Sequence, residues 1–210
     1  MNGLLFITHQ TEKYDYYQSA EIALKGGCRR IQLRMKDAYS ADIEKMARRV
    51  KQLCDQYKAE LYIDDHVGIC KDVGATGVHL GKADMPPSEA RLILGDRFII
   101  GGTANTFEDI RALNEQQVDY IGLGPFRFTT TKKNLSPILG LEGYRDIINQ
   151  CKKYNITLPI LAIGGITRTD ISAIVSTGVS GIALSSTILN AEDPIKETAQ
   201  CIAYIERNEK

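Results

Sequence analysis

Residues 120–133 read YIGLGPFRFTTTKK: an apolar run that ends in three adjacent hydroxyls, Thr129, Thr130 and Thr131, and two ammonium groups, Lys132 and Lys133. Gly122 and Gly124 permit close approach of the backbone, and Pro125 stiffens the exit. Hydroxyl donors beside a compact positive charge suit the oxygens of a phosphate or diphosphate. A solvated basic turn would have the same composition, so the rest of the chain must decide. Arg34, Lys36 and Lys132 form a set of fixed cations, and Asp65 and Asp84 are carboxylates that could share one hard cation. Two carboxylates with waters and ligand oxygens suit Mg²⁺, which seldom takes a full protein cage. Such a metal with three cations suits a diphosphate, above all a departing one. For either aspartate alone, a helix N-cap or a loop salt bridge is the alternative. Gly164-Gly165-Ile166 and Ser185-Ser186 read as a second, metal-free anion cradle.

These residues act together only if the fold brings them to one place. Apolar or β-branched runs recur at 4–8, 30–34, 60–63, 77–80, 98–101, 120–122, 159–163 and 181–184. Their continuous apolar character predicts parallel strands buried on both faces. Between them lie stretches of helical spacing, at 42–58 (Ile43, Met46, Ala47, Val50, Leu53), 140–154 and 170–177, with 194–206 closing the chain. Strict alternation implies right-handed crossovers, and eight strand–helix units predict an α/β fold, a single (β/α)₈ TIM barrel over residues 1–210. An open doubly wound sheet is weakened by the lack of a Gly-x-Gly-x-x-Gly turn after the first strand. In a barrel the strand C-termini share one mouth. Gln32, Arg34, Lys36, Asp64, Asp65, His66, His79, Lys82, Asp84, Thr103, Asn105 and the anion cradles all fall at such ends.

Lys plus Arg equals Asp plus Glu at 26 each, which argues against a nucleic-acid partner. The five cysteines, Cys28, Cys54, Cys70, Cys151 and Cys201, match no metal or disulfide spacing and read as reduced thiols of a cytoplasmic protein. No export signal and no bilayer-length apolar run is seen, so no membrane partner is expected. The sequence leaves homo-oligomer formation open. His9 and His79 read as structural, Arg29-Arg30 and Lys152-Lys153 as solvated faces, and Tyr14, Tyr16 and Tyr17 as surface or helix-packing residues. No Ser–His–Asp or Cys–His arrangement stands out.

From about residue 4 to 206 the chain resembles the thiamine-phosphate synthases (thiamine-phosphate diphosphorylases) and their relative, the thiazole tautomerase. The resemblance rests on IQLRMK at 31–36, IDDHV at 63–67, GVHLG at 77–81 with Asp84, GLGP at 122–125, TTTK at 129–132, AIGGI at 162–166 and IALSS at 182–186, in this order and spacing. It implies a transferase that joins an aminopyrimidine methyl diphosphate to a thiazole phosphate, releasing diphosphate and requiring Mg²⁺. By residue, Gln32, Leu33, Arg34, Met35, Lys36, Asp64, Thr103 and Lys132 would bind the pyrimidine diphosphate. Asp65 and Asp84 would hold Mg²⁺, and Thr129, Thr130, Thr131, Gly165, Ser185 and Ser186 would bind the thiazole phosphate. Arg34, Lys36 and Lys132 would carry catalysis, and the loop over 126–139 would close on the substrates.

The chain departs from that pattern in places. Asp64-Asp65-His66 stands where the synthases usually carry Asn-Asp-Arg, which puts an acceptor-only carboxylate near the diphosphate. Lys82, where Gln is common, is a candidate compensation. Phe128 replaces a Pro, and Thr103 replaces a Ser while keeping the hydroxyl. The tautomerase would need a His at Asn105, and an amide cannot act as acid or base near neutral pH. A non-catalytic barrel that binds thiamine phosphate is the reading from a different functional class.

Overall fold

The computed structural model describes residues 2–128 and 137–208. Its parallel strands are β1 (Gly3–Ile7), β2 (Arg30–Leu33), β3 (Glu60–Asp64), β4 (Gly77–Leu80), β5 (Ile99–Ala104), β6 (Tyr120–Leu123), β7 (Ile160–Ile163) and β8 (Gly181–Leu184). Each pairs with the next, and β8 returns to β1 with Gly3 opposite Gly181 and Phe6 opposite Leu184, closing the barrel. The expected strands are therefore all present, with ends shifted by a few residues. β5 runs on to Ala104, past the expected end at 101, and so carries Thr103 inside the sheet.

The outer ring is α1 (Tyr16–Lys25), α2 (Ser40–Gln56), α3 (Val67–Val73), α4 (Pro87–Leu94), α5 (Phe107–Glu115), α6 (Gly140–Lys153), α7 (Ile171–Val175), α8 (Ser186–Leu189) and α9 (Pro194–Asn208). Their stop and start signals are local. Asp15 accepts from the Gln18 amide and Gln18 answers in kind, opening α1; Thr106 and Asp109 do the same for α5. The helix expected over 170–177 divides into a 3₁₀ turn at Arg168–Asp170 and the short α7. Helix α2 buries Ile43, Ala47, Val50, Leu53 and Cys54 on one face. Its opposite face carries Glu44–Arg48 and Lys51–Asp55 pairs, both at 2.6 Å.

Strand periodicity sorts side chains into two cores. Phe6, Ile31, Leu33, Leu61, Ile63, Ile100 and Leu123 face outward and pack under the helices, each fully buried or nearly so. Each such side chain contributes roughly 1.5–3 kcal/mol. Leu5, Ile7, Tyr62, Tyr120, Leu161 and Ala183 fill the barrel interior. At its floor Arg30, expected on a solvated face, instead pairs with Glu60 at 3.1 Å, and Glu60 also accepts from the Tyr62 hydroxyl at 2.9 Å. All five cysteines are buried and free, and burial pushes the Cys54, Cys70 and Cys201 thiols up to about 12.

Candidate active site

A cavity of about 690 Å³ opens at the C-terminal ends of the strands. Gln32, Arg34 and Lys36 reach it because they follow each other at a spacing of two, whereas Leu33 and Met35 between them turn outward into the helix-facing core. Leu33 and Met35 thus do not line the cavity, although the resemblance sets them beside the pyrimidine diphosphate. On β3 the same alternation would separate Asp64 from Asp65. It is broken at Asp65, whose φ of 64° is left-handed, a conformation uncommon outside glycine that aspartate tolerates. Both carboxylates consequently face the cavity, and Lys36 Nζ contacts each of them, Asp64 Oδ2 at 3.7 Å and Asp65 Oδ2 more closely.

Asp64 is 7% exposed and accepts from Gln32 Nε2 at 2.5 Å, with Arg34 Nε at 3.4 Å from its other oxygen. Its charge is therefore met by Gln32, Arg34 and Lys36. Lys82, the candidate for that task, turns aside to Asp109 at 2.6 Å, where Asp109 already accepts from the Asn105 and Thr106 amides. The start of α5 supplies the anion that Lys82 pairs with, so Lys82 does not compensate Asp64. His66 serves as the residue before α3 and does not line the cavity.

Asp84 accepts from the Gly81 amide at 2.7 Å and lies within hydrogen-bonding reach of Asp65. Burial, the neighbouring Asp64 charge and Asp84 push the Asp65 carboxyl up to about 6. For Asp84, burial works the other way from its hydrogen bonds to Asp65 and Gly81 and from the Lys36 charge, and these hold it below the usual range. For Lys36, burial disfavours the charge, but the hydrogen bond to Asp65 and the charges of Asp64, Asp65 and Asp84 raise it above the usual lysine value. Two carboxyls this close to one another are a donor set that suits a hard divalent cation. No group of three or more His, Cys, Asp or Glu side chains in a metal-binding arrangement occurs among the described residues. A two-carboxylate site leaves the other positions to water and ligand oxygens.

On the other side of the ring, Gly164, Gly165, Ser185 and Ser186 line the same cavity. Gly164 and Gly165 have φ of 97° and 67°, and a Cβ on Gly164 would stand 2.7 Å from the Pro125 ring. Arg127 locks this turn to the loop after β6: it donates to the Gly165 carbonyl at 2.7 Å and to both oxygens of Asp170 at 2.8 and 2.9 Å. Ser185 Oγ is buried without a hydrogen-bond partner among the described residues. Such an atom at a cavity wall is suited to a ligand oxygen. Gly124 makes room for protein rather than ligand, since its Cβ would stand 2.2 Å from the Ile163 carbonyl oxygen. Thr129, Thr130, Thr131 and Lys132 lie outside the described residues.

The cavity also takes in His79 and Asn105, expected at the mouth, and His9 and Tyr16, which read as structural and as surface or helix-packing residues. Their position at strand ends and at the start of α1 was the available signal. His79 is hydrogen-bonded on both ring nitrogens, and Asn105 donates to the Gly124 carbonyl. A more open depression of about 890 Å³ beside the start of α9, lined by Tyr14, Ile22, Pro194 and Gln200, shares no residue with the mouth.

A closed (β/α)₈ barrel with paired cations, adjacent carboxylates and a buried hydroxyl at one rim defines an enzyme that handles phosphorylated small molecules. The comparisons with known proteins narrow this. Residues 4–188 match the family model described as thiamine monophosphate synthase, and the chain belongs to that family. It is 59% identical to a thiamine-phosphate synthase of Bacteroides thetaiotaomicron over 202 residues, covering 96% of this chain and 97% of that protein. It is 62% identical to one of Phocaeicola vulgatus over 195 residues, covering 93% and 94%. The solved thiamine phosphate pyrophosphorylase of Pyrococcus furiosus superposes with a TM-score of 0.88 at 32% identity, covering 99% of this chain and 97% of that one. The protein is a transferase of the thiamine-phosphate synthase kind. Among the described residues no helix is long and apolar enough to cross a membrane.

Proposed function

We propose that the chain joins an aminopyrimidine methyl diphosphate to a thiazole phosphate, giving thiamine phosphate and diphosphate, with Mg²⁺ held by Asp65 and Asp84. One observation carries this reading: Arg34 and Lys36 on one side of a single cavity face the Ser185 hydroxyl, unpartnered among the described residues, and the Gly165 turn on the other. Two separate anion subsites at one rim suit two phosphorylated substrates. Lys132 belongs to the first subsite by resemblance, and Thr129, Thr130 and Thr131 to the second.

The bond between the pyrimidine methylene carbon and the diphosphate oxygen breaks, and its electron pair leaves with the diphosphate. The carbocation that remains is stabilised by the pyrimidine ring, and the thiazole nitrogen donates its lone pair to form the new C–N bond. Mg²⁺, when bound, neutralises charge on the departing group. Arg34 and Lys36 are already oriented by Asp64 and Asp65, so they meet the growing negative charge with little reorganisation. Asp64 acts as the anchor for Gln32, Arg34 and Lys36 rather than as a diphosphate ligand. The Gly165 amide with Ser185 and Ser186 holds the second substrate by its phosphate. No general base is needed, because the attacking nitrogen already carries a lone pair. Asn105, committed to the Gly124 carbonyl and without a usable pKa, offers no isomerase chemistry.

The test is to mix the purified chain with both substrates and Mg²⁺ and to follow diphosphate release together with thiamine phosphate by mass. Stoichiometric appearance of the two products is expected. Binding of both substrates without diphosphate release would overturn the proposal and favour a non-catalytic barrel.

A further inference from the structure

The barrel interior holds a polar chain that the reaction above does not use. Tyr120 on β6 is fully buried, and its hydroxyl lies 3.1 Å from His79 Nδ1. His79 on β4 is 8% exposed, and its Nε2 lies 2.9 Å from Thr103 Oγ1 on β5. Thr103 stands at the cavity wall. The backbone is cleared for this arrangement: a Cβ on Gly101 would stand 2.2 Å from Tyr120 Cζ, and one on Gly122 would stand 3.0 Å from His79 Cε1.

We infer that Tyr120 and His79 are positioning residues that fix the Thr103 hydroxyl as a hydrogen-bond donor toward the cavity. The Tyr120 hydroxyl has no hydrogen-bond partner but His79 among the described residues. A buried hydroxyl that accepted from His79 would leave its own hydrogen unpaired, which is costly away from water. Tyr120 therefore donates to Nδ1. A neutral imidazole has one donor and one acceptor nitrogen. With Nδ1 accepting, the ring proton is on Nε2, and Nε2 donates to Thr103 Oγ1. The doubly protonated ring would again strand the Tyr120 hydrogen and is disfavoured for the same reason. Thr103 Oγ1 has then accepted one bond and keeps its own hydrogen for a ligand. The opposite tautomer would take that hydrogen back to His79 and turn an oxygen lone pair on any oxyanion in the cavity. That the acceptor is a diphosphate oxygen rests on the proposed function; the position of the ring proton does not.

Two measurements test this. The chain has 3 histidines, so ¹⁵N-histidine spectra of the whole protein are simple, and His79→Asn assigns the signal. The expected result at neutral pH is a neutral His79 with its proton on Nε2. A proton on Nδ1, or on both nitrogens, overturns the inference from the wild-type protein alone, whether or not any variant folds. The second measurement titrates wild type, Thr103→Val, Thr103→Ser, Tyr120→Phe and the Tyr120→Phe/Thr103→Val double variant with inorganic diphosphate. Thr103→Val is expected to weaken binding about tenfold, Tyr120→Phe somewhat less, Thr103→Ser hardly at all, and the double variant no more than Thr103→Val. Additive losses would mean that Tyr120 acts by a route other than Thr103 and would overturn the relay. Failure of the wild type to bind diphosphate, with the proton found on Nε2, would count against the diphosphate reading and not against the tautomer.

Discussion

Arg34 shows how a single side chain acquires its role. It is held by Asp64 within a cavity wall that also carries Lys36, so its charge is pre-aimed at any anion that enters. Arg34→Ala is expected to slow turnover by about 100-fold, near 3 kcal/mol of transition-state stabilisation, read as the rate of diphosphate release. Asp84 is fixed by the Gly81 amide and lies within hydrogen-bonding reach of Asp65. Asp84→Ala is expected to move the Mg²⁺ titration of the same assay to higher concentration; an unchanged titration would remove Asp84 from the metal site. At this scale the sequence already grouped Arg34, Lys36, Asp65 and Asp84, and all four line one cavity. The partner of Lys82 was not legible, because Asp109 is 27 positions away in the chain and only folding brings it to 2.6 Å.

Between elements, an ion pair and several hydrogen bonds join the base of the loop after β6 to the turn after β7. Asp170 accepts two hydrogen bonds from Arg127 and two from Thr167. The Arg127 guanidinium, partly offset by burial and helped by Thr167, holds the Asp170 carboxyl down to about 2. A depressed carboxylate contributes stability above its unfolded pKa of about 3.9, and that contribution is lost as pH falls toward the folded value. Asp170→Asn should therefore cost about 1 kcal/mol at pH 6, discounted because Arg127 is 47% exposed. The difference should shrink as pH falls toward about 3, measured by urea unfolding at the two values. Element order was readable from apolar runs, but helix ends were less so. The start of α7 was blurred because the Thr167–Asp170 capping box supports a 3₁₀ turn before the α-helix proper.

Across the whole molecule, chemistry and stability occupy opposite ends of the barrel. The Arg30–Glu60–Tyr62 network sits at the floor, the carboxylates and cations at the mouth. Glu60→Gln is expected to lower stability by about 0.5–1 kcal/mol, because Arg30 and Glu60 are partly exposed, and to leave the rate of diphosphate release within about twofold. Thermal unfolding and the turnover assay on one preparation check both halves. A large loss of turnover would mean that the floor transmits strain to the mouth.

The sequence by itself determined the barrel, since eight apolar runs separated by helical spacing admit few other topologies, and it determined the residue types at the rim, since position at a strand end fixes which mouth a side chain shares. Only the tertiary structure decided direction. The alternation along β2 sends Leu33 and Met35 outward while Gln32 and Arg34 turn in, and one left-handed residue at Asp65 brings two consecutive carboxylates to the same side. Hydrogen-bond direction at His79 depends on a tyrosine two strands away, Tyr120 on β6, and no local pattern encodes a contact between residues 41 positions apart.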